Sequence, residues 1–72
     1  MAIAYVNLGA AHNGKGNYDH ASAAFSQAIS LNPKYVDAYV NRGSMYIRSG
    51  EFARAIADFD QAIAIDPNSA AA

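Results

Sequence analysis

The nine residues FSQAISLNP, starting at Phe25, return as FDQAIAIDP starting at Phe59, and nothing else in this chain constrains its fold as tightly. The displacement of 34 residues also carries AYVNLG from Ala4 onto AYVNRG from Ala38. It carries the whole of GNYDHASAAFSQAISLNP from Gly16 onto GEFARAIADFDQAIAIDP from Gly50 without a gap. A sequence that repeats in fixed register encodes one structural unit more than once. A chain of 72 residues holds two such units and little else, and one core of that size contributes only ~3–5 kcal/mol of net stability unless something staples it. The chain has no cysteine, so no disulfide can do so. His12 and His20 are its only imidazoles, with no thiolate to complete a tetrahedral set, so neither a metal nor another cofactor is expected. The units must be held by packing on each other or on partners.

Inside each unit the apolar residues recur at helical spacing between breakers. Ala4, Tyr5, Leu8, Ala11 and His12 mark one face of a first helix that ends near Gly14 and Gly16, where glycine can take the positive φ that stops a helix. A second helix runs from Tyr18 through Ala21, Phe25, Ala28 and Ile29 to Leu31, and Pro33 prevents its continuation. The second unit repeats the pattern, from Val36 to Ser49 and, after a turn at Gly50, from Phe52 to Ile65 before Pro67. Gly9 and Gly43 fall in helix interiors, where glycine costs about 1 kcal/mol relative to alanine, and so point to close helix approach. Ala21 and Ala55 are expected to face them, with Phe25, Phe59, Tyr18 and Phe52 filling the rest of each hairpin. The expected fold is all-α: two helix-turn-helix units, four antiparallel helices in all, the start of an α-solenoid.

Composition narrows the function. A hydrophobic share of 53% rich in alanine suits closely packed helices. The net charge of −1 offers no basic footprint for nucleic acid. No apolar run reaches membrane-spanning length, so no membrane insertion is expected. The start of the chain lacks the basic segment and apolar block of a signal peptide, which favours a soluble, cytoplasmic protein. Catalysis is not expected either. Asp58 and Asp60 stand two apart on a helix and point to different sides, no cysteine nucleophile exists, and no serine has a histidine one turn away with a carboxylate behind it. His20, beside Asp19, reads as a solvated surface residue, and His12 as a packing or boundary residue.

These landmarks resemble the tetratricopeptide repeat, a 34-residue helix-turn-helix unit. In the first unit they fall on Tyr5, Leu8, Gly9, His12, Gly16, Tyr18, Ala21, Phe25, Ala28 and Pro33. In the second they fall on Tyr39, Arg42, Gly43, Tyr46, Gly50, Phe52, Ala55, Phe59, Ala62 and Pro67. Arg42, in place of leucine, and His12, in place of an aromatic residue, depart from the pattern. The implied units are residues 2–35 and 36–69, with 70–72 the start of a third unit or a tail.

The resemblance implies a protein–protein interaction scaffold whose first helices line a concave groove for a peptide or partner protein. The corresponding positions are Ile3, Val6, Asn7, Ala10, Asn13 and Gly14 in the first unit, and Asp37, Val40, Asn41, Ser44, Ile47 and Arg48 in the second. Asn7 and Asn41 occupy identical places, and a side-chain amide can hold a peptide backbone through both a donor and an acceptor. Asn41 followed by Arg42 looks like the centre of the clamp with which some relatives hold a C-terminal carboxylate. Val6 and Ala10 stand where the first repeat would supply its share, so such a clamp is not expected. Repeat arrays generally want about three units with polar caps. Ile56, Ala57, Ile63 and Ala64 on the last helix therefore form a candidate self-association face, with Ile3 and Ala4 at the other end. Homo-oligomerisation, by stacking or by domain swapping at the turns, is the alternative to a foreign partner.

Overall fold

A computed structural model describes residues 1–67 of the chain. Four α-helices follow one another: α1 Ala2–Gly14, α2 Tyr18–Leu31, α3 Val36–Ser49 and α4 Phe52–Ile65. The last three have the bounds that spacing and breakers predict. The stretch 70–72, and the end of the second unit at residues 68 and 69, lie outside the described residues. Short connections make α1 and α2 one hairpin and α3 and α4 another, and α2 packs on α3 to join them.

The same device closes both hairpins. Gly16 has φ +77° and Gly50 φ +84°, a left-handed conformation that costs a residue with a Cβ about 1 kcal/mol or more. Beyond each glycine the next amide turns back on the helix: Asn17 donates to the His12 carbonyl at 2.9 Å and Glu51 to that of Tyr46 at 2.8 Å. The glycine amides donate to Asn13 and Ile47 at 3.0 and 3.1 Å. This is the Schellman arrangement, which satisfies the last carbonyls of a helix. Gly14, also expected as a stop, is the last residue of α1 and has no positive φ. Between the units, Asn32 is extended (φ −144°, ψ 90°), as a residue preceding proline prefers. Its side-chain Oδ1 accepts from the Lys34 amide at 3.2 Å and its carbonyl from the Tyr35 amide at 3.0 Å.

The core is built from small residues around a few large ones. Val6, Ala21, Phe25, Ala28, Ala38, Met45, Tyr46 and Ala55 form one buried cluster, with Ile29, Tyr35 and Phe59 packed against it. Ala21 and Ala55 are buried as expected of residues facing Gly9 and Gly43, but the atoms closest to those glycines belong to phenylalanine rings. A Cβ at Gly9 would lie 2.6 Å from Cε1 of Phe25, and one at Gly43 2.8 Å from Cε1 of Phe59. Each missing methyl group is therefore the seat of an aromatic ring. The two seats are not equivalent: Phe25 is wholly buried, whereas Phe59 is only partly so. Tyr18 packs against the core, but its counterpart Phe52 does not fill its hairpin and remains 61% exposed.

Candidate functional site

The packing of α2 on α3 determines which surfaces are free. The 34-residue displacement pairs each residue of one unit with its counterpart in the other, so differences in burial reveal what the junction covers. On α3, Ala38, Met45 and Tyr46 are buried, whereas their counterparts Ala4 and Ala11 on α1 are exposed and His12 is half-buried. On α2, Ser22 and Ile29 are half-buried, whereas their counterparts on α4, Ile56 and Ile63, are 61% and 47% exposed. The junction has polar ties as well. Ser22 Oγ lies 3.5 Å from Tyr46 Oη, and Arg42 Nη1 donates to Ser26 Oγ at 3.2 Å.

The face of α1 carrying Tyr5, Leu8 and His12 is consequently not the hairpin core that its apolar spacing suggests. Tyr5 and Leu8 are exposed, and with His12, His20, Ala23, Ala24 and Gln27 they line a shallow depression open to solvent. The side of α1 that enters the core carries Val6 and Gly9. The His12 and His20 rings meet there, with centroids 5.2 Å apart and planes tilted by 30°, so His20 is exposed but not merely solvated.

On α4 the stripe matching what α3 covers on α2 is Phe52, Ile56, Phe59 and Ile63. Ala57 and Ala64, expected beside Ile56 and Ile63, are exposed too, but their counterparts Ala23 and Ser30 stay exposed with α3 in place. Of the two phenylalanines that sequence spacing places in the hairpin interior, Phe59 seats on Gly43 as expected and is half-buried, whereas Phe52 is exposed.

Asp58 is the feature the sequence did not announce. It is buried, and both its oxygens are held by Arg42: Nε donates to Oδ2 at 2.8 Å and Nη2 to Oδ1 at 2.7 Å. Such a two-pronged, charge-assisted pair is the strong form of the interaction. The hydrogen bond to Asp58 raises the Arg42 pKa, against an opposing effect of burial. The stability linked to a raised pKa is fully present below the unfolded value and is lost only as pH climbs through the folded one. Arg42 thus contributes nothing pH-dependent near neutrality. Tyr39 and Tyr46 each place a ring 5.9 Å from the guanidinium carbon, within cation–π range. Arg42, beside Asn41, is thus already engaged by Asp58 and Ser26. The first unit has Leu8 and Ala24 at the same two positions, so one site is solved once with a charged pair and once with an apolar one.

On the expected groove, Ile3, Asn7 and Ala10 of α1 and Asp37, Ser44, Ile47 and Arg48 of α3 are exposed, while Asn13, Val40 and Asn41 are half-buried. Val6 is buried in the core and offers a partner almost no surface. Oδ1 of Asn13 is shut off from solvent and accepts no hydrogen bond, the one such side-chain atom among the described residues. A buried polar group without a partner costs about 1–3 kcal/mol.

Among the described residues no helix is long and apolar enough to cross a membrane. No curated protein sequence matches the chain. Among solved structures it is similar to that reported as the crystal structure of MamA, with a TM-score of 0.90 and 37% sequence identity. The match covers 93% of this chain and 39% of that one, so the chain spans about two fifths of the MamA length. The family model described as tetratricopeptide repeat matches residues 6–70. Two hairpins in 34-residue register, each with a phenylalanine ring seated on a helix-interior glycine, agree with both comparisons: the chain belongs to the tetratricopeptide repeat family, whose repeats are in general protein-interaction scaffolds.

Proposed function

We propose that the chain binds a peptide or partner protein along its concave face, between α1 and α3, and that Asn7 and Asn41 hold the backbone of that partner. The observation that carries this reading is the state of the amides. Asn7 and Asn41 stand one repeat apart in closely matching contexts, and neither side chain makes a hydrogen bond among the described residues. Ile3, Val40 and Ile47 add apolar surface beside these amides. A segment with free backbone N–H groups and apolar side chains meets both requirements. The test is titration of isotope-labelled protein with a panel of apolar-containing peptides. Binding that shifts the amide resonances of Asn7 and Asn41, and that Asn41→Ala weakens about fivefold at unchanged helicity, matches the loss of ~1 kcal/mol per neutral hydrogen bond. Shifts confined to the outer helices α2 and α4 would remove this face from consideration.

A second reading, self-association through the two ends of the array, is favoured by the exposed stripe Phe52, Ile56 and Ile63 and by the exposed Tyr5 and Leu8 at the opposite end. It predicts a molecular mass that rises with concentration.

A further inference from the structure

We propose that one copy of this chain docks head to tail on a second. The α4 stripe Phe52, Ile56, Phe59 and Ile63 of one copy seats on the α1 face Tyr5, Leu8, Ala11 and His12 of the next, in the register that α2 and α3 use within the chain. This rests on the self-association reading and specifies its two faces and their alignment.

The junction between α2 and α3 is the template. Ser22 meets Tyr46 and Ser26 meets Arg42, while Ala38 and Met45 are buried beside them. Carried forward by 34 residues on the α2 side and back by 34 on the α3 side, the same junction sets Ile56 against His12 and Asp60 against Leu8. Bulk shifts from one side to the other in step. The receiving face is smaller than its model, with Leu8 for Arg42, Ala11 for Met45 and His12 for Tyr46. The inserted stripe is larger, with Ile56 for Ser22 and Asp60 for Ser26. A close-packed junction requires summed volume to be kept, and Ile56 in place of Ser22 on one face offsets part of the bulk missing at Ala11 and His12 on the other.

The polarity changes in the same direction. Where the internal junction uses Ser22, Ser26, Tyr46 and Arg42, the corresponding outer positions carry Ile56, Asp60, His12 and Leu8, and Phe52 stands for Tyr18; the gain of isoleucine, leucine and phenylalanine suits an association driven by apolar burial. Asp60 is a charge that flanks the stripe. Its counterpart Ser26 stays exposed with α3 in place, so the docked Asp60 carboxylate keeps its water and incurs no burial cost. Two different faces make a heterologous contact, which propagates rather than closing as a two-fold dimer would.

The experiment is light scattering on the 72-residue chain across a concentration series, with helicity followed in parallel. The wild-type mass is expected to rise from the 7.6 kDa monomer past that of a dimer. Leu8→Glu blocks the receiving face and Ile56→Glu the inserted one, each at a side chain already about half exposed. Either substitution is expected to weaken association about 100-fold, because it forces an unpaired carboxylate into an apolar junction. Mixed in equal amounts, the two variants retain one good face each and are expected to form a 1:1 pair that grows no further. Ala11→Glu and Ile63→Glu form a second such pair, should either first variant lose helicity. A wild-type chain that stays monomeric overturns both the association and its register. Association that survives Leu8→Glu, as an α4-to-α4 dimer or a domain swap would, overturns the head-to-tail docking and leaves only self-association standing. So does a mixture that fails to pair.

Discussion

Replacing Arg42 by leucine tests the least expected feature of this molecule. The substitution leaves Asp58 almost fully buried with neither of its two Arg42 contacts, at 2.8 and 2.7 Å, replaced. Breaking a buried pair from one side costs roughly 3–5 kcal/mol, and the lower end, about 3, applies because Arg42 lies near the surface. Against the ~3–5 kcal/mol expected of a core this small, that leaves about 0–2 kcal/mol, so Arg42→Leu is expected to be only marginally stable. Asp58→Ala should cost less, about 1.5 kcal/mol, since the stranded guanidinium still has Ser26, two tyrosine rings and water. The double variant Arg42→Leu/Asp58→Ala reproduces Leu8 and Ala24, which already occupy these positions in the first unit. It forfeits the Ser26 bond and the ring contacts and should also lie only about 1.5 kcal/mol below wild type, because apolar replacements of buried pairs are often close to neutral. Two singles totalling ~4.5 kcal/mol against a double of ~1.5 give a coupling of about 3 kcal/mol. Urea unfolding of the four proteins, followed by helical circular dichroism, measures it. A coupling below ~0.5 kcal/mol would show that Arg42 and Asp58 act independently, and the reasoning would fail.

Gly9→Ala and Gly43→Ala should differ although they are the same change in the same place. Each gains about 1 kcal/mol of helix propensity and incurs an overpacking cost of ~1–3 kcal/mol. The fully buried Phe25 cannot retreat from Gly9, whereas the half-free Phe59 can move away from Gly43. Only Gly9→Ala should lower the urea midpoint clearly, and equal effects would contradict the asymmetry of the two ring seats. Phe25→Leu should likewise destabilise more than Phe59→Leu, by at least about 1 kcal/mol in the same assay. Gly50→Ala should cost about 1 kcal/mol, because only the positive φ objects and nothing lies within 4 Å of the added methyl group. A melting temperature unchanged by Gly50→Ala would refute the role given to the left-handed turn.

The sequence by itself determined the repeating helix pair and the bounds of α2, α3 and α4. Breakers act locally, through the φ of glycine and the missing amide of proline, and they sit in the same register twice. Gly16, Gly50 and Pro33 therefore placed the turns, and periodicity placed α2, α3 and α4. The family followed from the same landmarks. The groove positions were legible only as a resemblance, and their amides form part of the proposal. What one helix face meets is not a local property, and there the tertiary structure decided. Tyr5, Leu8 and His12 look like core in α1 and belong instead to the face that its counterpart α3 presents to α2. Phe52 has the sequence place of Tyr18 but not its burial, since no following helix covers it among the described residues. The Arg42 and Asp58 pair left one trace in the sequence, the joint change from Leu8 and Ala24 sixteen residues apart. Periodicity reads apolar spacing and is blind to two charges that cancel each other, so their partnership became visible only once α3 and α4 were packed together.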